Sequence, residues 1–344
     1  MTIYPQQEWQ PISASEAGFA PEKLAAVETA LRSQAGTDGR YRVVIVQGGR
    51  LVAAWYQGVG RADQLRLASA TKSLFSSILG ILIDEGTLPS ADAPLFDYYP
   101  EFMDVPEGTG PKPGRYAYPK DRTITFRQLI SNTSGYMKPG EAPGQVFNYQ
   151  TYGMNILTHA LAKLHGDYDS NDPAGSPGLM PLLDEKLRKP IGARWGYYKA
   201  NFDLPSQARI NIFGYYDGVK ASALDMARLG WLWCNWGKWE DRQVIPEAWL
   251  REATAVAPAI LAHAPQSDWR YGYAFWTNAA GQLWPTLPRA SFAASGAGSQ
   301  HIWVWPERDL VVVQSPGIFN DQAELDGGLL GQLLNAFIRK EERP

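Results

Sequence analysis

Residues 67–80 read LASATKSLFSSILG and place a serine and a lysine, Ser69 and Lys72, three positions apart in front of an apolar run. The apolar residues that follow recur at helical spacing, and they are Leu74, Phe75, Ile78, Leu79, Leu82 and Ile83. Ile81 adds apolar surface on another face, so the pattern predicts a helix from Ser69 to Glu85 that is buried nearly all round. Gly86 is a typical C-terminal stop for such a helix.

This spacing has a chemical interpretation and a purely structural one. Residues three apart share one face of a helix, and the free N–H groups at a helix N-terminus favour negative charge, such as a serine alkoxide. Lys72 in an apolar environment would lose part of its preference for the charged form and could accept a proton from Ser69. From these two residues alone, a capping serine beside a solvated lysine is the favoured interpretation.

The rest of the chain divides into strand-rich ends and a helical middle. Helices are predicted at residues 20–34, 124–136, 152–165, 178–188, 221–237 and 322–340. Strands are predicted as a hairpin around Gly48 and Gly49, and in WRYGYAFWTN, GQLWP, SFAAS, SQHIWVWP and DLVVVQS after residue 269. We therefore predict an α/β lobe, 1–90 and 205–344, with a mostly helical lobe, 91–204, inserted into it and the active site in the cleft between them.

The composition excludes several classes of function. The 344 residues are 45% hydrophobic and 19% charged with a net charge of -3, which gives no footprint for nucleic-acid or membrane-surface binding. The lone Cys234 excludes an internal disulfide, and the four histidines lack metal-ligand spacing, so neither metal nor cofactor is expected. The first residues do not show the basic region followed by an apolar stretch that is typical of a secretory signal. The sequence therefore predicts a cytoplasmic protein.

Five segments in order resemble the penicillin-recognising serine hydrolases, which include class C β-lactamases, DD-peptidases, family VIII carboxylesterases and aminohexanoate-oligomer amidases. The first is the Ser-x-x-Lys stretch quoted above. The other four are ITFRQLISNTSGY, FNYQTYGMNIL, GVKASALDMARLG and FAASGAGSQHIWVWPERDLVVVQSPG. The similarity covers roughly residues 15–340. It implies the β-lactamase/DD-peptidase-like fold, of class α/β (α+β), with an antiparallel sheet flanked by helices and an inserted all-helical lobe.

The resemblance also implies roles for individual residues. Ser69 corresponds to the nucleophile, Lys72 to its partner and Tyr149 to the tyrosine of the second motif. The backbone N–H groups of Ser69 and Ala297 correspond to the oxyanion hole.

Two positions depart from the β-lactamase pattern. Thr151 stands where that pattern has an asparagine that holds a substrate amide, and Ala294 stands where it has a lysine that helps to hold the carboxylate of the antibiotic. Both changes disfavour efficient β-lactam turnover and leave the nucleophile untouched. Asn155, one helical turn past Thr151, is either a substitute for the missing amide or a helix-surface residue.

Further residues are expected to line the cleft. They are Ser295, Gly296, Thr151, Tyr136, Tyr215, Tyr216 and Trp276. His301, beside the third motif, faces either the cleft or solvent.

The sequence thus predicts a serine hydrolase that cleaves a small ester or amide through an acyl-enzyme, with a small-molecule substrate, no nucleic-acid or membrane partner and no cofactor. The alternative enzyme is a β-lactamase or DD-peptidase. The alternative from another class is a module that binds β-lactams or peptides with little turnover.

Overall fold

The computed structural model describes residues 2–33, 39–201, 204, 212–316 and 328–337. The α-helices are α1 (Pro21–Ser33), α2 (Lys72–Asp84), α3 (Phe126–Ile130), α4 (Tyr152–His165), α5 (Met180–Leu183), α6 (Ala223–Cys234), α7 (Glu247–Ala253), α8 (Pro258–His263) and α9 (Leu329–Ala336). The 3-10 helices are Ala68–Thr71, Leu95–Asp97, Pro100–Met103, Pro119–Thr123, Gln266–Asp268 and Pro306–Arg308, and Asp184–Arg188 forms a π-helical turn.

The strands are β1 (Tyr41–Gln47), β2 (Arg50–Gln57), β3 (Leu65–Arg66), β4 (Gly196–Ala200), β5 (Tyr216–Ala221), β6 (Lys238–Trp239), β7 (Arg242–Gln243), β8 (Trp276–Thr277), β9 (Phe292–Gly296), β10 (Gln300–Trp305) and β11 (Leu310–Gln314). Six of them form an antiparallel sheet in the order β2-β1-β11-β10-β9-β8. Because β1 pairs with β11, the two ends of the chain build one sheet, as the sequence predicts.

Both faces of this sheet are covered. Along β1, Val44 and Val46 belong to the larger core, whereas Val43 and Ile45 belong to a second core on the opposite face. This alternation is the period of two that a strand imposes on its side chains. Helix α6 packs against β1, β10 and β11 on the first face, and α1 packs with α9 on the second. The antiparallel sheet flanked by helices, expected from the resemblance, is confirmed.

Helix α2 lies inside the molecule and contacts α4, α5 and α7. Its buried residues run without interruption from Lys72 to Leu82, so the predicted all-round burial is confirmed. Within the predicted helical lobe, the segment between residue 91 and α4 consists mainly of 3-10 turns and loops. After α4, β4 pairs with β5 in a small sheet, β3-β5-β4. The division into two lobes stays a prediction, and its boundary at 204–205 adjoins residues 205–211, which lie outside the described residues.

The predicted strands between residues 269 and 285 are mostly wrong. Of WRYGYAFWTN only Trp276–Thr277 is a strand, and GQLWP forms a loop. For GQLWP the reason is Asn278, a fully buried side chain whose amide donates to the carbonyl groups of Trp284 and Leu287 and accepts from the N–H of Trp284. The loop closes around this amide, which satisfies backbone groups that a strand would have paired in a ladder.

At the end of the chain, the predicted helix 322–340 is described only within 328–337, where α9 forms. Within the described ranges, none of the helices combines the length and the apolar character that crossing a bilayer requires.

Gly230 sets how closely α6 approaches the sheet, and this generates a prediction of stability. A Cβ atom at Gly230 would overlap Cγ1 of Val311 and lie 2.8 Å from Cγ2 of Ile302. Gly230→Leu should therefore lower the free energy of unfolding by about 3 kcal/mol, as overpacked cores do. Gly331→Leu in α9 is the matched control, because no atom lies within 4 Å of a Cβ there. Equal urea midpoints for the two variants would contradict this packing.

Candidate active site

Ser69 and Lys72 meet at the start of α2. Ser69 lies in the 3-10 turn Ala68–Thr71, and Lys72 is the first residue of the α-helix. The three-residue offset puts both side chains on one face, and Lys72 Nζ donates a hydrogen bond of 2.7 Å to Ser69 Oγ. Ala68, directly before the serine, has a left-handed backbone conformation with φ of 46°. The predicted pair is therefore in direct contact.

Lys72 is held in an environment that disfavours its charge. Its side chain is almost completely buried, with 2% relative exposure, and Nζ lies 5.1 Å and 5.3 Å from the ring centroids of Tyr149 and Tyr216. Desolvation lowers the pKa of Lys72 from its ordinary value to about 7. The tyrosine faces attract the ammonium form, but burial is the larger effect. A substantial fraction of Lys72 is thus neutral near pH 7 and able to accept a proton.

Tyr149 stands at the mouth of this pocket. It is 37% exposed, its ring stacks on Trp276 at 5.8 Å with an interplanar angle of 28°, and it meets the edge of Tyr271 at 5.8 Å. The same ring faces Lys72 Nζ. The structure therefore brings together all three residues that the sequence singles out for chemistry, and Trp276 lies beside them.

The end of β9 reaches the serine from another direction. A Cβ atom at Gly296 would overlap the carbonyl oxygen of Leu67 and lie 3.0 Å from Ser69 N. Only a glycine allows this approach of backbone to backbone. Ala297 follows at once, exposed and in a turn, so its N–H group is one residue from that contact. Ser295 is half-buried and pairs with His301 in the sheet.

Thr151 and Tyr216 also adjoin the site. Thr151 is the N-cap of α4 and lines a cavity together with Tyr149. Tyr216, on β5, donates a hydrogen bond of 2.7 Å to the carbonyl oxygen of Ala68. Its neighbour Tyr215 is half-buried, and its carbonyl oxygen lies 3.0 Å from His159 Nε2. Tyr216, not Tyr215, faces Lys72, because adjacent residues in extended chain point to opposite sides.

Three other candidates have structural roles. Tyr136 is fully buried and its hydroxyl donates to the carbonyl oxygen of Phe102 at 2.6 Å, so it does not line the cleft. Asn155 is not on the helix surface, since it is fully buried and its Nδ2 donates to the carbonyl oxygen of Phe213 at 2.7 Å. His301 lines a small cavity next to α9, on the sheet face away from Ser69, with Trp284.

A sequence profile of the β-lactamase family matches residues 24–315, which is most of the chain and includes the Ser69–Lys72 pair. The chain belongs to the β-lactamase family. Among the described residues of this family member, no group of three or more His, Cys, Asp or Glu side chains could hold a metal ion.

Relatives within the family have different activities in their names. The 6-aminohexanoate-dimer hydrolase of Paenarthrobacter ureafaciens is 23% identical over 291 residues, which are 79% of this chain and 71% of that protein. A penicillin-binding protein homologue from Caulobacter crescentus superposes with a TM-score of 0.62 at 17% identity, covering 86% of this chain and 92% of that one. EstCE1, a hydrolase with promiscuous acyltransferase activity, superposes with a TM-score of 0.57 at 17% identity, covering 92% and 98%.

One residue that sequence reasoning passed over supports Tyr149. Asn132 lies in the segment after α3, is nearly fully buried and has a φ of 57°. Its carbonyl oxygen accepts from the N–H of Asn148 at 2.9 Å, and its Oδ1 accepts from the N–H of Gln150 at 2.9 Å. Its Nδ2 donates to the hydroxyl of Tyr271 at 3.1 Å. Asn132 is thus hydrogen-bonded to both chain neighbours of Tyr149 and to Tyr271, whose ring packs against Tyr149. In the sequence, the resemblance of the segment ITFRQLISNTSGY to the family indicated that this region matters, but it did not single out Asn132.

The burial of Lys72 generates a prediction of stability and its pH dependence. The folded state releases the lysine proton near pH 7, whereas the unfolded chain keeps it until about pH 10.4. The wild type therefore gains stability as pH rises from about 7 to 10. Lys72→Met removes the free-energy cost of burying a protonated lysine. It should raise the free energy of unfolding by about 1–4 kcal/mol at pH 6, and by much less at pH 10.

Urea titrations of both proteins at the two pH values measure this difference. Lys189→Met, at an exposed lysine, serves as the control and should stay within about 0.5 kcal/mol of the wild type at either pH. A stabilisation by Lys72→Met that does not change with pH would show that the lysine keeps its ordinary pKa.

The hydrogen bonds of Asn132 around Tyr149 lead to a prediction about activity. Asn132→Gly keeps the left-handed backbone without strain but removes the hydrogen bonds to Gln150 and Tyr271. Ester hydrolysis should lose about 10- to 100-fold in kcat because Tyr149 is no longer fixed. Asn132→Asp, which keeps the acceptor for Gln150, should lose less. Steady-state rates and circular dichroism of both variants provide the measurement, and an unchanged kcat in a folded Asn132→Gly protein would refute the role.

Proposed function

We propose that this protein is a serine hydrolase that cleaves small esters or amides through an acyl-enzyme on Ser69. The observation that carries the proposal is the hydrogen bond of 2.7 Å from Lys72 Nζ to Ser69 Oγ inside a buried pocket. A neutral lysine at this distance can take the serine proton, which is the requirement for an activated nucleophile.

The proposed reaction begins with attack of Ser69 Oγ on the substrate carbonyl carbon. The hydroxyl proton passes to Lys72, and the carbonyl π electrons move to its oxygen, which the N–H groups of Ser69 and Ala297 stabilise. When the tetrahedral adduct collapses, the bond to the leaving group breaks and Tyr149, beside Lys72, passes a proton to the leaving atom. A water molecule then attacks the acyl-enzyme with the same groups in reverse roles and releases the acid.

Esters and linear amides are the preferred substrate class in this proposal. Ala294 and Thr151 stand at the two positions that differ from the β-lactamase pattern, and Ala294 is fully buried. A lost charge-assisted hydrogen bond costs about 1.5–3 kcal/mol, or about 10- to 150-fold in rate. A relative named 6-aminohexanoate-dimer hydrolase and a structural neighbour described as a hydrolase with promiscuous acyltransferase activity support the same choice. β-Lactamase or DD-peptidase activity is the second candidate, supported by the family.

The test is turnover together with active-site labelling. A fluorophosphonate should add once, to the peptide that contains Ser69, and Ser69→Ala should abolish both labelling and the hydrolysis of 4-nitrophenyl acetate. Wild-type kcat/KM for this ester should rise with pH through a midpoint near 7, because the deprotonated Lys72 is the active form.

Three results would oppose the proposal. Labelling that persists in Ser69→Ala would remove the nucleophile. A single stoichiometric burst without turnover would indicate a binding module. A kcat/KM for a cephalosporin equal to that for the ester would favour a β-lactamase.

A further inference from the structure

A second cavity adjoins the candidate active site and shares Tyr149 with it. Its volume is about 530 Å³, which is within the range of small-molecule sites. The lining comes from the loop before the 3-10 turn at Pro119, from Lys138, and from the chain around Tyr149 to Tyr152. Tyr149 therefore separates Lys72 and the serine from a space large enough for part of a substrate.

Three cations line this cavity, and we call it the cationic cleft, defined by Lys112, Arg115 and Lys138. Glu141 offsets one of them, since both its carboxylate oxygens lie 3.1 Å from Lys138 Nζ. Lys112 is exposed, and Arg115 forms no ion pair with any carboxylate of the described ranges. The cleft therefore keeps an excess of positive charge although the whole chain has a net charge of -3.

Arg115 is fixed in place without being neutralised. Its Nη2 donates to two uncharged acceptors, the carbonyl oxygen of Tyr136 at 3.3 Å and Gln150 Oε1 at 3.1 Å. Its Nε is buried and has no hydrogen-bond partner in the described part of the chain. A guanidinium oriented by neutral groups beside a cavity is suited to bind a carboxylate.

The end of β9, on the other side of Ser69, carries no charged side chain in the part of the chain that the structure describes. Gly296 and Ala297, which are small and uncharged, adjoin Ser69, whereas Ser295 pairs with His301 and its side chain lies on the opposite face of the sheet. An anionic group on a substrate is thus attracted to the side of Tyr149 that carries Arg115. In the proposed reaction Tyr149 protonates the leaving atom, so the space beyond Tyr149 receives the leaving group.

We propose that the cationic cleft binds a carboxylate on the leaving group, so that the preferred substrates are esters or amides of a carboxylate-bearing alcohol or amine. This inference rests on the proposed function. It assigns Lys112, Arg115 and Lys138 to substrate specificity and not to bond cleavage.

A matched pair of esters tests the assignment. 4-Acetoxybenzoate carries the carboxylate on its leaving group, and methyl 4-acetoxybenzoate is its neutral counterpart. The wild type should favour the carboxylate by about 10-fold in kcat/KM, the lower end expected for a charge-assisted hydrogen bond in a partly open site. Arg115→Gln should abolish this preference, mainly by raising KM for the carboxylate ester; the readout is the ratio of kcat/KM for the two esters, from which a loss common to both cancels.

Two variants guard against a merely structural effect of Arg115. Lys112→Gln changes an exposed side chain and should reduce the preference by a smaller factor without affecting the fold. Arg122→Gln is the matched control, because Arg122 is exposed and packs over Phe96, outside the cleft, and the preference should persist. The preference should also shrink at 0.5 M NaCl.

The outcomes separate this inference from the proposed function. If the neutral ester is hydrolysed and the wild type shows no preference for the carboxylate, the inference is overturned and the hydrolase proposal stands. The inference is also overturned if Arg115→Gln lowers kcat/KM equally for both esters and Lys112→Gln retains the preference for the carboxylate. If neither ester is hydrolysed and Ser69 is not labelled, the proposed function itself fails.

Discussion

The burial of one lysine beside one serine is the constraint on which this site depends. A lysine ammonium taken out of water loses its hydration, and no ion pair to a carboxylate compensates Lys72 among the described residues. The fold therefore holds a destabilising group at the start of a helix that is buried from Lys72 to Leu82. What results is a nitrogen base that is partly deprotonated near pH 7 and already hydrogen-bonded to a hydroxyl group.

Three separate parts of the chain come together around Lys72 and exclude water from its side chain. Helix α2 supplies Lys72 itself, the chain before α4 supplies Tyr149, and β5 supplies Tyr216. The end of β9 contacts the 3-10 turn that carries Ser69, because Gly296 lets its backbone approach Leu67 and Ser69. The packing of the sheet and the position of the serine are thus coupled, since a shift of β9 would move this turn.

The parts of this arrangement that depend on local sequence were predictable. The Ser69–Lys72 contact follows from helical spacing, and helix α4 has the bounds that its apolar pattern predicts. The parts that depend on tertiary contacts were not. Asn132 acts through partners 16 to 139 positions away, and the buried amide of Asn278 turns an aromatic-rich segment into a loop. The choice of Tyr216 over Tyr215 depends on a strand register that a single sequence leaves open.

Burial also bears on the step after proton transfer. In the proposed reaction, attack by Ser69 converts a neutral lysine and a neutral carbonyl group into an ammonium and an oxyanion, and opposite charges attract more strongly where water is excluded. The same desolvation that lowers the pKa of Lys72 thus strengthens its attraction to the charge formed on the substrate. The Tyr149 and Tyr216 rings around Nζ add to the stabilisation of the new ammonium. An exposed Ser-x-x-Lys pair would have neither advantage, because its lysine would stay protonated at neutral pH and water would screen the charges. The chemical meaning of the motif therefore depends on the enclosure around it more than on its spacing.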